Sequence, residues 1–194
     1  MNDKKKNFIT PFLEGKIINL CPLNMEHVNL YTKWSNDPDI RRYSRNIIPW
    51  TIDEIKKWSE LEEDRVKKEI AFEIWHRKDN KPIGTAGFSD INWPDRNANL
   101  FVGIGEIDYW GQNIAAEVSR LLLDYGFEEL NLNKVYSRIF SPNKQSLRAA
   151  EKIGFKYEAT LKEHAYIEGK FVNELRFALF KKEWLNQKEI LSKK

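Results

Sequence analysis

The 194-residue chain has a single cysteine, Cys21. One thiol can close no internal disulfide and build no thiolate metal cluster, which points to a reducing compartment and a fold held without staples. No apolar run approaches the roughly 20 residues of a membrane-spanning helix, and the first thirty residues lack the apolar heart of a secretory leader. A surplus of one charge is missing too: 32 basic against 29 acidic residues leave +3. That is too little to argue for nucleic acid, whose binders concentrate basic residues on one face. Lys4-Lys5-Lys6 and Lys193-Lys194 sit at the chain ends and read as solvated tails. There are no internal repeats and no linker-like segments. A single domain over 1–194 is expected, in the cytoplasm, with mobile ends at 1–14 and 188–194.

Aromatics, by contrast, are abundant. Seven Trp, seven Tyr and eleven Phe within 41% hydrophobic residues supply a real core. Alternation marks strands at Lys16–Leu20, Ile70–Trp75, Pro82–Ile91, Leu100–Ile104, Lys134–Phe140, Phe155–Ile167 and Phe171–Phe180. A helix from Asn24 runs through Trp34 to a stop at Asn36-Asp37-Pro38, and a short helical turn follows at Asp39–Tyr43. Thr51 and Glu54 form a capping box for a helix reaching about Lys68, with Ile55, Trp58, Leu61 and Val66 inward. Further helices are expected from Gln112, over Lys144–Lys152 with Gly154 as its cap, and from Glu183.

The stretch Asn99–Gly126 organises the rest. A strand feeds through Gly105–Gly111 into a helix whose Ile114, Val118, Leu121, Leu122 and Tyr125 share one face. Such a corner aims unpaired N–H groups and the positive helix end at one point, a geometry suited to a pyrophosphate. Taken alone, it could equally be an ordinary strand-turn-helix corner.

Three motifs in order give the chain a resemblance. Tyr109-Trp110-Gly111-Gln112-Asn113-Ile114-Ala115 is similar to the pyrophosphate loop of the GNAT acyl-CoA N-acyltransferases. Asn143-Lys144-Gln145-Ser146, followed by Lys152-Ile153-Gly154-Phe155, resembles the family's helix after the fifth strand, and Glu163–Leu175 its closing hairpin. Over Lys16 to about Trp184 the chain looks most like the ribosomal-protein N-terminal acetyltransferases (RimJ/RimL type) and the spermidine N-acetyltransferases. The resemblance implies an α+β fold: a mixed, mostly antiparallel twisted sheet of about seven strands flanked by helices, with a splay between the fourth and fifth strands.

It also implies acetyl-CoA as cosubstrate. Backbone N–H groups of Gly111, Asn113, Ala115 and Ala116 would hold the pyrophosphate, in a loop that includes Trp110, Gln112 and Ile114. Val102, Gly103 and Ile104 would run beside the pantetheine arm, with Asn143 and Ser146 near its end. No metal is implied. Two departures stand out: Asn113 occupies the second loop glycine, and Ala150 the position where many relatives place a proton-donating Tyr.

The chemistry needs a neutral amine, a polarised carbonyl and a proton for the leaving thiolate. Ser146 is the substitute proton donor and Glu106 the candidate base; where relatives carry a Glu on the fourth strand, this chain has Asn99 or Leu100. Glu163, His164 and Tyr166 are further candidates for the acceptor pocket. Acceptors, in order of preference, are a protein N-terminal amine, a small amine and a polyamine, and a homodimer through the closing hairpin is a possible assembly. The alternatives are a CoA-binding domain without catalysis and a binding module built on Arg41, Arg42 and Arg45.

Overall fold

The computed structural model describes residues 10–44, 46–59 and 67–192. Its strands are β1 (Leu13–Glu14), β2 (Ile18–Pro22), β3 (Ile70–His76), β4 (Lys81–Asn92), β5 (Asn97–Ile104), β6 (Lys134–Phe140), β7 (Lys156–Ile167) and β8 (Lys170–Phe180). The helices are α1 (Val28–Asn36), α2 (Pro38–Ser44), α3 (Ile52–Ser59), α4 (Ile114–Asp124), α5 (Lys144–Ile153) and α6 (Lys181–Ser192). One open sheet runs in the order β1-β2-β3-β4-β5-β6-β8-β7. Every pair is antiparallel except β5–β6, where α4 carries the chain back across and makes the strands parallel. Among the described residues, no helix is long and apolar enough to cross a membrane.

Alternation sorts the sheet into two faces. Leu20, Phe72, Ile74, Ala86, Phe88, Ala98, Leu100 and Val135 point to one side and pack with Ile114, Val118 and Leu122 of α4 and Ile153 of α5. The other side carries a smaller cluster from Val28, Tyr31 and Trp34 of α1 with Ile55 of α3. Glu73, between Phe72 and Ile74, therefore points toward α1. It is fully buried, and the same carboxylate oxygen takes the Tyr31 hydroxyl and lies 2.6 Å from His27 Nδ1. Burial, and then Glu73, push the Tyr31 hydroxyl far above its usual value. The same two causes push the Cys21 thiol up to about 11.

Several boundaries differ from expectation for identifiable reasons. The sheet has eight strands rather than seven, because Leu13 and Glu14 pair with Leu20 and Asn19 while Phe12 stacks on Phe72 at 5.4 Å. Two residues show no period, so that stretch read as a loose end. At the other end, Lys188 is pinned 2.7 Å from Asp124. The first helix stops at Asn36 as expected, and the turn after it starts one residue early, at Pro38: Asp37 Oδ1 accepts from the Asp39 N–H at 2.9 Å, and proline suits the first helical position. The helix expected from Gln112 begins at Ile114 and ends in a π turn over Tyr125–Glu129, where Gly126 lies against the Phe88 ring. The capping box holds, with Thr51 N–H donating to Glu54 Oε2 at 2.9 Å and Glu54 N–H to Thr51 Oγ1 at 3.3 Å. The Trp58 side chain, Leu61 and Val66 lie outside the described residues.

Trp34 covers Gly105, where a Cβ would come 2.3 Å from the indole. A Gly105→Ala substitution is expected to destabilise the fold by about 1–3 kcal/mol, measured by urea unfolding. An unchanged midpoint would show that the indole does not pack there.

Candidate active site

β5 pairs with β6 only over Asn97–Asn99 against Lys134–Tyr136, and the strands part beyond that point. The Gly105 N–H bonds Ile83 O on the β4 side. Alternation then turns the Leu100 C=O and the N–H and C=O groups of Val102 and Ile104 toward the opening. Trp110 closes its far end by donating from Nε1 to the Ile104 carbonyl at 3.0 Å. Of the three residues expected beside a pantetheine arm, Val102 offers both backbone groups to the opening and Ile104 its N–H. Gly103 faces β4 with its backbone. A Cβ there would meet nothing nearer than Thr85 O at 3.7 Å, so it leaves room on the α1 side.

The loop that follows is built on two left-handed residues, Gly111 at φ +78° and Asn113 at φ +60°. Asn is among the few side chains that accept this conformation, which accounts for its standing where a glycine is usual. Asn113 is also the N-cap of α4, and among the described residues no side chain caps that helix. The first intrahelical donors are Ala116 and Glu117, both to Asn113 O. The Ile114 and Ala115 N–H groups therefore project ahead of the helix at its positive end. Of the four donors expected for a pyrophosphate, Ala116 is already engaged. Gln112 Nε2 closes the turn on Asp108 O at 2.8 Å, and the Ile114 side chain is buried in the core.

The loop is braced from behind, by contacts the motif alone does not reveal. The Tyr109 hydroxyl donates to Asp79 Oδ2, which also lies 2.8 Å from His76 Nδ1, and the Tyr109 ring packs edge-on against His76 at 4.9 Å. His76, Lys78, Lys81, Tyr109 and Gln112 line an open depression of about 410 Å³ on this side. Rigid positive-φ backbone, an uncapped helix start and open space at Gly111, where a Cβ would touch nothing within 4 Å, fit a diphosphate.

Across the opening, Asn143 Oδ1 accepts from the Ser146 N–H at 3.1 Å and caps α5, leaving Ser146 half-buried one turn in. Ala150 is buried against the core, so no hydroxyl comes from that position. Glu106 is clamped. Its Oε1 takes Trp34 Nε1 at 2.8 Å and Lys33 Nζ at 2.9 Å, which fixes α1 to the end of β5. Burial works to raise its carboxyl, but the bonds from Trp34 and Lys33 prevail and hold it below its ordinary value.

On the α1-side face of β6 and β8 stands a cluster the sequence reading missed. Glu174, 3% exposed, has its Oε1 2.7 Å from Arg176 Nε, and the Arg176 guanidinium lies 5.6 Å from the Tyr136 ring centre. Burial, and then Asp90, raise the Tyr136 hydroxyl. Arg138 pairs with Asp90 at 2.8 Å. The available signal was Glu174 and Arg176 alternating with Leu175 and Phe177 in an otherwise apolar strand. Of the hairpin candidates, His164 alone approaches this cluster, with Nε2 3.9 Å from Glu174 Oε2. Glu163 sits at a bulge at φ +49°, and Tyr166 packs on Phe171 near the hairpin tip. Arg42 is paired with Glu168 at 3.0 Å, and Arg45 lies outside the described residues.

A carboxyl whose folded pKa is lowered adds stability at pH values above its ordinary 4.5, and that stability is lost as pH falls through the folded value. Glu106→Gln is therefore expected to be less stable than the parent at pH 7 by about 1 kcal/mol, given that Lys33 is half exposed. The gap should close as pH falls below 4.5 in denaturant titrations. A gap that does not depend on pH would remove the charged clamp.

Comparison with known proteins agrees with this geometry. Residues 18–156 match the family model described as Acetyltransferase (GNAT) domain. The chain is 26% identical over 170 residues to the uncharacterized N-acetyltransferase p20 of Bacillus licheniformis, covering 86% of this chain and 94% of that protein. It is 25% identical over 175 residues to the spermidine N(1)-acetyltransferase of Escherichia coli K12, covering 87% and 88%. The crystal structure of the Vibrio cholerae spermidine N-acetyltransferase in complex with CoA and spermine superposes with a TM-score of 0.80 at 23% identity, over 89% of this chain and all of that one. The opening between β5 and β6, the left-handed loop before α4 and the family match together make this chain a member of the GNAT acetyltransferase family, an N-acetyltransferase that uses acetyl-CoA.

Proposed function

We propose that the acetyl group passes directly to a primary amine bound on the α1 side of the sheet, with both substrates held together. The observation that carries this reading is the parting of β5 from β6 after Asn99, which leaves one row of backbone groups on β5 without a strand partner. Acetyl-CoA supplies the acetyl group as a thioester. The Val102 backbone pairs with the pantetheine amides as a strand would, and Gly111, Asn113, Ile114 and Ala115 hold the diphosphate. Ser146 gives its hydroxyl proton to the departing thiolate and regains one from water. The amine nitrogen forms the new C–N bond and sheds a proton to solvent. Glu106, tied to Lys33 and Trp34, serves to hold the wall of the acceptor site, because a carboxyl held below its usual value is a weak base.

Cys21 offers no relay: its thiol is 1% exposed and pushed up to about 11. Around the acceptor face, Lys33, Arg42, Arg138 and Arg176 each stand against a carboxylate. Such a balanced surface suits an acceptor of low charge, a protein N-terminal amine or a small monoamine, ahead of a polyamine, whose several cations call for a surplus of acid. A cytoplasmic location follows from the same reading, in keeping with the lone reduced thiol. A homodimer would use the outer edge of β7, where the sheet ends.

Two measurements test this. Calorimetry should find acetyl-CoA bound by Asn113→Gly at least as tightly as by the parent. Asn113→Val, forcing a β-branched residue into left-handed backbone, should bind about tenfold more weakly. Equal affinity for all three would remove the loop from the site. Thioester consumption over an unblocked peptide, a hexosamine and spermidine should be fastest with the peptide, and Ser146→Ala should slow it at least tenfold. Binding without turnover on any amine would instead support a catalytically silent domain.

A further inference from the structure

The point where β5 leaves β6 holds an unusual side chain. Asn99 is the last β5 residue in register with β6, opposite Tyr136, and it also pairs with Ser89 of β4. Its neighbours Ala98 and Leu100 point into the core beneath α4, so the carboxamide points to the α1 side. It is only 6% exposed. Its Nδ2 donates to Ser89 Oγ at 2.9 Å, while Oδ1, buried, has no hydrogen-bond partner among the described residues. A buried carbonyl oxygen left without a donor is costly and rare in folded proteins. Asn99 stands at the head of the opening by its register, with its Nδ2 already fixed on Ser89.

We propose that Asn99 is an acceptor-binding residue: its Oδ1 takes one N–H of the incoming amine and so turns the nitrogen lone pair toward the thioester carbonyl. This rests on the acetyl-transfer reading given above. The chemistry favours a carboxamide over a carboxylate at this place. A neutral oxygen accepts from a neutral amine without the added attraction that a carboxylate has for the ammonium form, which has no lone pair to attack with. The bond is made to the nucleophile alone, so the acetyl donor should not sense its loss.

The test uses the full chain, acetyl-CoA and an unblocked Ser-Gly-Gly peptide as probe. Asn99→Leu, close in shape, is expected to lower kcat/KM for the peptide at least tenfold while acetyl-CoA affinity stays within twofold. Asn99→Asp is expected to retain the ammonium and to move the acid limb of the kcat/KM profile to higher pH. Ser89→Ala, which frees the carboxamide to turn, should raise the peptide KM several-fold with little change in kcat, a split that a merely structural role would not give. Unchanged peptide kinetics with unchanged acetyl-CoA affinity overturn the assignment and leave the acetyl-CoA slot standing. Loss of acetyl-CoA binding in Asn99→Leu, in a variant that still folds, overturns it by moving the residue to the other substrate. A parent protein that binds acetyl-CoA yet leaves the peptide unmodified counts against both the acceptor class and this role.

Discussion

β5 is held to β4 from Asn97 to Ile104, yet it keeps β6 for only three residues. Both sides of that conflict are firmly anchored. On one side, Gly105 and Glu106 bond Ile83, and Trp34 lies over Gly105 while its indole N–H fixes Glu106. On the other, β6 is paired along its whole length with β8, Lys134 against Phe180 through to Phe140 against Glu174. The sheet cannot close without breaking one of these ladders. It therefore leaves a row of β5 donors and acceptors without a strand partner on that side. Helices α4 and α5 lie on one face of this opening and α1 to α3 on the other.

The loop before α4 depends on the same frame. Trp110 ties it to the last carbonyl of β5, and Tyr109 ties it to the β3–β4 turn through Asp79 and His76. The strand, its turn and the helix start are thus tied to one another, with the left-handed Gly111 and Asn113 between them. Strain of this kind persists only where the surroundings overdetermine it.

Much of this could be read from the sequence, for reasons that lie in particular residues. The seven longer strands announced themselves by alternation, and the α4 corner by its glycines and its apolar stripe. Asn113 was legible as a departure, but whether it served a positive φ depended on backbone geometry that residue identity does not carry. Asn36-Asp37-Pro38 marked the break between two helices, and only the Asp37 cap, a matter of conformation, decides that the second begins at Pro38 itself. The acceptor face was the least legible. Asn99, Tyr136 and Glu174 lie on three strands and meet only through the order β5-β6-β8, which non-consecutive pairing hides from any local pattern. Glu106 read as a candidate base, since its partners Lys33 and Trp34 stand more than seventy residues away.

The central claim is that β5 beyond Asn99 and the start of α4 form one binding surface for acetyl-CoA. Hydrogen exchange of the backbone amides, followed with and without acetyl-CoA, tests it most directly. The account predicts slowed exchange at Val102 and Ile104 and at Gly111 to Ala115, with Ala98, already paired in the sheet, unchanged. Protection confined to the depression lined by His76, Lys78 and Lys81, with no change along β5, would contradict it.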